Sequence, residues 1–177
     1  MLYYIHGYQS SPAGEKAILF AQQLDARPIR YRDCPPEELI IDDCIDRIIA
    51  TTKDDSSVQF IGSSLGGFLA AKTALTADSV TTLILLNPAI IPPGTDIASI
   101  HSVPQSILAD MIEPRLFSTK LGAKVYIIRG TEDTVVPTEW VLSFAHAQEA
   151  TIQLVNDDHR LSKTLPQLPQ MIASLLP

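Results

Sequence analysis

The stretch FIGSSLGGF, residues 60–68, sets two adjacent serines among three glycines where an apolar run ends. Three readings compete for it: a phosphate loop, a structural turn, or a turn that carries a nucleophile. The phosphate reading fails because Phe68 follows the last glycine where the Walker pattern needs lysine, and G-x-G-x-x-G is absent. Gly62, Ser64 and Gly66 match G-x-S-x-G, with a predicted strand before them (58–61) and a helical pattern after (65–76). A serine on so sharp a strand-to-helix turn sits in strained backbone, a cost of about 1–3 kcal/mol. Side chains two residues to either side would collide with the turn. Centring the motif on Ser63 would put Ile61 and Leu65 there, so Ser64 is the nucleophile candidate and Ser63 a packing or hydrogen-bonding residue.

The same alternation of strand and helix extends along the chain. Apolar runs bounded by turn residues fall at 2–5, 29–31, 58–61, 83–86, 125–128 and 152–155, with little strict alternation, as in parallel strands covered on both faces. Between them, Ile41, Cys44, Ile45, Ile48 and Ile49 form one face of a helix, and Glu38, Asp42, Asp43, Asp46 and Arg47 the other. Pro35 and Pro36 suit its first turn. Ala17, Phe20, Ala21 and Leu24 form a similar stripe, with Ser11 as the expected cap and Pro12 as first helical residue. This order predicts an α/β fold with right-handed crossovers and a sheet covered on both sides, a three-layer sandwich. Residues 87–123 hold five prolines and no predicted strand, and read as a lid-like excursion within one domain spanning 1–177.

Composition narrows the function. With 46% hydrophobic and 19% charged residues, the chain is built for a buried core rather than disorder. Its formal net charge of −7 argues against a nucleic-acid partner. No apolar run approaches the roughly 20 residues that span a bilayer, and no signal-peptide pattern opens the chain, so a cytoplasmic location away from membranes is the default expectation. Cys34 and Cys44 are too few for a zinc site, and Cys44 lies on an apolar helix face as a buried thiol would.

A serine hydroxyl needs a base to take its proton, and the base needs an acid to orient it. Asp133, in RGTEDTVVP, follows the run at 125–128, and His159, in NDDHR, follows the last run, both at the C-terminal strand edge where open α/β sheets place their sites. His6 and His101 precede Asp133, breaking the order Ser, Asp, His, and His146 lies in a helical stretch. Glu132 must point away from its neighbour. Asp157 and Asp158 are expected to be surface charges, or to push the histidine pKa mildly upward. The oxyanion requires two backbone donors. One is the amide of Leu65 at a helix N-terminus; the other is expected from Tyr8, after the tight turn that Gly7 permits in YIHGYQSSP.

Together, YIHGYQSSP, GSSLGGF, NPA (87–89), GTEDTVVP and DDHRL resemble the α/β-hydrolase superfamily, in particular small single-domain bacterial esterases of the YqiA-like type, from Leu2 to about Leu161. The resemblance implies a reduced fold of about six parallel strands in the order 2-1-3-4-5-6. It also implies a Ser64, Asp133, His159 triad that acts on esters or thioesters with neither cofactor nor metal. Asp158 departs from the pattern, since many relatives have glycine there. The expected activity is hydrolysis of small or medium acyl groups through an acyl-enzyme, declining in acid because only neutral imidazole accepts the serine proton. Alternatives on the same triad are an acyltransferase, a peptidase or a carbon–carbon hydrolase, and outside catalysis a binder of small molecules or proteins. Oligomeric state is left open by the residues.

Overall fold

The computed structural model describes residues 1–176. In chain order the main elements are β1 (Leu2–Ile5), α1 (Glu15–Leu24), β2 (Arg27–Pro28), α2 (Ile41–Thr52), β3 (Val58–Ser63), α3 (Leu65–Ala74) and β4 (Val80–Leu86). They continue with α4 (Gln105–Asp110), α5 (Arg115–Ser118), β5 (Lys124–Gly130), α6 (Thr138–Gln148), β6 (Thr151–Val155) and α7 (Leu168–Ala173). The strands make one parallel sheet in the order β2-β1-β3-β4-β5-β6. This is the order the resemblance implied. The strand order reverses at β1, and open α/β sheets place their sites beyond the C-terminal strand ends at such a reversal.

Alternation along each strand divides the core. Tyr3, Ile5, Phe60, Leu83, Leu85, Val125 and Ile127 point to one face, where α2, α3 and α6 cover them. Tyr4, Ile61, Ile84, Leu86 and Ile128 point to the other, against Ala17 and Phe20 of α1 and Leu168 and Ile172 of α7. Each fully buried Ile, Leu or Phe contributes about 1.5–3 kcal/mol. Helix α3 is buried on nearly every side, since the sheet, α2 and the 87–123 excursion surround it.

Several boundaries differ from expectation. Residues 29–31 were expected as a strand, but β2 pairs only through Arg27 and Pro28. One further bond, from Ile29 N to Tyr4 O at 2.9 Å, follows before the chain leaves the edge to bury Ile29 and Tyr31 in the core. The helix expected after Pro35 and Pro36 starts later. Pro36–Glu38 form a 3₁₀ turn, Leu39 and Ile40 are extended so that Leu39 can bury, and α2 begins at Ile41. Ser11 does not cap α1: its Oγ accepts from Ala13 N at 3.3 Å in a local turn, and Gly14 is the N-cap residue. The edge strand β6 has one neighbour and is largely exposed rather than covered on both faces. The 87–123 segment, for which no strand was expected, holds none: it carries a lone bridge between Ile91 and Ile112 and two short helices, and Ile90, Ile91, Ile107, Leu108 and Met111 enter the core.

Candidate active site

Ser64 is the residue between β3 and α3, with φ 53° and ψ −117°. Such a conformation persists for a non-glycine residue only where the surroundings over-determine it. Here Ser64 N donates to Leu86 O at 2.9 Å, while Ser64 O accepts from Gly67, Ala89 and Phe68 amides at 2.9, 3.1 and 3.3 Å. The hydroxyl makes no cap bond to the helix and is free for other partners. The flanking glycines are required by close approach: a Cβ on Gly62 would lie 2.5 Å from Gly66 O, and one on Gly66 would lie 2.1 Å from Ile5 O. Both obstacles are backbone. Gly66→Ala is therefore expected to cost about 3 kcal/mol or more, read as a lowered urea midpoint; a midpoint equal to the wild type's would contradict this packing.

The loops after β5 and β6 bring the other two predicted residues to Ser64. His159 Nε2 lies 3.0 Å from Ser64 Oγ, and His159 Nδ1 lies 2.8 Å from Asp133 Oδ2. A carboxylate only accepts, so Nδ1 carries the ring proton and Nε2 presents a lone pair to the hydroxyl. Asp133 Oδ1 accepts from Val135 N at 2.8 Å and Val136 N at 3.1 Å. Burial opposes ionisation of Asp133, but bonds from His159 and the Val136 and Val135 amides overcome it and hold the carboxyl below its ordinary range. As expected, Glu132 points elsewhere, pairing with Lys163 at 2.8 Å. His146 and His101 are exposed and away from Ser64's hydrogen bonds.

Three supporting residues escaped the sequence reading. Asn87, at φ 43°, ties the loops together: Nδ2 donates to Asp158 O (3.1 Å) and His159 O (3.0 Å), while Oδ1 accepts from Gly130 N (2.9 Å). Only its place in NPA hinted at this. Arg129, buried on β5, pairs with Asp133 Oδ2. Asp157, expected on the surface, is fully buried. Burial alone would raise its pKa, but bonds from Thr164 N (2.6 Å) and Asp158 N (2.8 Å) lower it to about 2, so it organises the histidine loop as a carboxylate. Asp158 is exposed, with Oδ1 accepting from Arg160 N at 2.8 Å. It is not among the residues of positive φ, so the position needs no glycine.

The loop after β1 lies beside Ser64, where a Cβ on Gly7 would sit 3.4 Å from Ser64 Cβ. Gly7 O faces His6 Nδ1 at 2.9 Å and Tyr31 Oη at 3.3 Å, and across the trans peptide the N–H of Tyr8 points the opposite way. Arg32 Nη2 holds Tyr8 O at 2.8 Å and Ser10 O at 2.9 Å. Leu65 opens α3, where an amide has no partner within the helix. His6 stacks on Tyr31 with ring centroids 4.4 Å apart. Burial pushes its pKa down to about 4 from 6.5, so the ring is neutral. Between those values the unfolded chain binds the extra proton, so stability is expected to fall by roughly 3 kcal/mol as pH drops from 6.5 to 4. Urea melts across that interval check it, His6→Asn losing distinctly less; equal losses in both proteins would refute the assignment to His6.

Beside Tyr8 a cleft of about 420 Å³ is lined by Glu37, Ile100, His101, Ser102 and Val103; Ser64 and His159 are not in its walls. Among the described residues, no three or more His, Cys, Asp or Glu side chains cluster as metal ligands, and no helix is long and apolar enough to cross a membrane.

Structural comparison shows that the chain shares the fold of α/β hydrolases. A Xanthomonas campestris protein assigned to the alpha/beta hydrolase superfamily aligns over 98% of this chain and 96% of its own, with 20% identity and a TM-score of 0.70. Est1E from Butyrivibrio proteoclasticus aligns over 98% and 85%, with 18% identity and a TM-score of 0.75. The esterase Pf2001 of Pyrococcus furiosus aligns over 98% and 79%, with 17% identity and a TM-score of 0.69. At these identities the likeness is one of fold. No curated protein matches significantly in sequence. Residues 1–175 match the family described as Uncharacterised protein family UPF0227, and the chain belongs to that family, with the fold of the α/β hydrolases.

Proposed function

We propose that the protein is a serine hydrolase that cleaves carboxylic esters or thioesters of small or medium acyl groups through an acyl-enzyme on Ser64. The observation that carries this reading is the unbroken chain from Ser64 Oγ through the His159 ring to Asp133, at 3.0 and 2.8 Å. His159 Nε2 takes the hydroxyl proton as Ser64 Oγ attacks the carbonyl carbon, and Asp133 stabilises the resulting imidazolium. The amides of Leu65 and Tyr8 receive the oxyanion, each donor contributing about 2.7–4 kcal/mol to the transition state. The imidazolium returns its proton to the leaving oxygen or sulfur. Water activated by the same nitrogen then releases the acid. The cleft beside Tyr8 has room for a compact substrate group, and one structural neighbour, Pf2001, is named an esterase, which agrees with this chemistry.

The test is covalent trapping followed by substrate profiling. A fluorophosphonate should form one adduct, mapped by peptide mass spectrometry to Ser64 and retained in Ser63→Ala. Graded p-nitrophenyl esters and acyl-CoA thioesters should turn over with a short- or medium-chain preference. Folded protein that neither labels nor turns over any member would instead favour a binding role.

A further inference from the structure

Arg129 is the side chain this chemistry leaves without a task. It is 3% exposed on β5 and carries a permanent charge. Nη1 pairs with Asp133 Oδ2, the same oxygen that faces His159 Nδ1. The guanidinium is fixed by Nη2 donating to Val136 O at 2.7 Å and Thr138 Oγ1 at 3.3 Å, and by Nη1 approaching Asn87 Oδ1 at 3.4 Å. Nε has no hydrogen-bond partner among the described residues. A buried, incompletely satisfied ion pair is a poor device for stability, because apolar packing of equal volume often does as well or better. Its effect falls on the oxygen it shares.

Resting on the hydrolase reading above, we infer that Arg129 is a positioning residue that fixes the Asp133 carboxylate and, by sharing its Oδ2, weakens that carboxylate's hold on the imidazolium that His159 becomes when it accepts the serine proton. A lone carboxylate stabilises imidazolium fully. One already paired with a guanidinium stabilises it less. The other chargeable groups around the dyad are offset or outlying. Glu132 is tied to Lys163, Asp157 is committed to the amides of its own loop, and Asp158 and Arg160 are exposed. Lys16 of α1 donates to Arg160 O, and His6 of the β1 loop is neutral and bound to Gly7.

Three substitutions separate charge from position: Arg129→Lys keeps the charge, Arg129→Gln keeps a donor without charge, and Arg129→Met removes both. The readout is the acid limb of fluorophosphonate labelling rate and of ester kcat/KM against pH. The limb should move up by about one unit or more in the Gln and Met variants and stay within about 0.3 unit of wild type in the Lys variant. The high-pH plateau should fall roughly tenfold in all three. A limb unmoved in the neutral variants, or moved equally by Lys, overturns the inference, because a merely structural role lowers the plateau alone. Should the Met variant fail to fold, the Gln variant decides: a limb moved up supports the charge role, and an unmoved limb refutes it. A folded wild type that does not label overturns the hydrolase reading and this inference with it, whereas a labelled wild type with an unmoved limb overturns this inference alone.

Discussion

Ser64→Ala is expected to lower ester kcat/KM by at least about 10⁴-fold and to abolish fluorophosphonate labelling, with little change in stability. The reasoning separates chemistry from fold. The hydroxyl makes no cap bond to α3, and its contact with His159 Nε2 at 3.0 Å is the one that the proposed reaction uses. The backbone at φ 53° is held by the bond its N–H donates to Leu86 O and by those its carbonyl accepts from the Gly67, Phe68 and Ala89 amides. Alanine carries the same Cβ, so the strain is unchanged and the unfolding free energy from urea melts should stay within about 0.5 kcal/mol of wild type. Ser63→Ala should retain activity within about tenfold. A Ser64→Ala protein keeping more than a tenth of wild-type turnover would place the nucleophile elsewhere.

Asp133→Asn should cost both activity and stability, which makes it the more diagnostic of the two. All four contacts to the carboxylate come from donors: Val135 N and Val136 N on Oδ1, His159 Nδ1 and Arg129 Nη1 on Oδ2. An asparagine must aim its amide nitrogen at one of those pairs. If it faces the backbone amides, the loop is disrupted. If it faces His159, the ring must take the wrong tautomer and Nε2 can no longer accept the serine proton. Either arrangement leaves Arg129 buried without its counter-ion, at about 3–5 kcal/mol. We expect kcat/KM to fall by about 10⁴-fold, with a lower denaturation midpoint at neutral pH. Because the Asp133 carboxyl is held below its ordinary range, its ionised form stabilises the native state above the unfolded carboxylate value, and that contribution is lost as pH falls through the folded one. The difference between wild type and Asp133→Asn should therefore narrow in acid; a constant difference would argue against the depressed ionisation.

The residues that touch the proposed reaction were legible because each is announced by local chemistry. Gly62 and Gly66 are written around Ser64 by backbone collisions that any sharp strand-to-helix turn must avoid. Asp133 and His159 stand just past apolar runs whose strand character needs no tertiary knowledge. The continuous apolar runs announced strands covered on both faces, and the pleat then divides the residues of β1, β3, β4 and β5 between those faces. What failed locally were ends and exceptions. The prolines at 35 and 36 permit a helix start, and only the burial of Leu39 delays it to Ile41.

By itself, then, the chain's order of residues determined the alternation of strands and helices, the elbow and the three side chains at its rim. Those depend on contacts between near neighbours and on periodicity. Tertiary structure decided that Asp157 is a buried loop organiser, that Asn87 joins the β5 and β6 loops, and that Arg129 shares Asp133 with His159. The physical reason is that a polar side chain's meaning is set by which partners reach it and by how much water is removed from around it. For Asn87 and the histidine loop those partners lie more than 70 positions away, at Asp158 and His159.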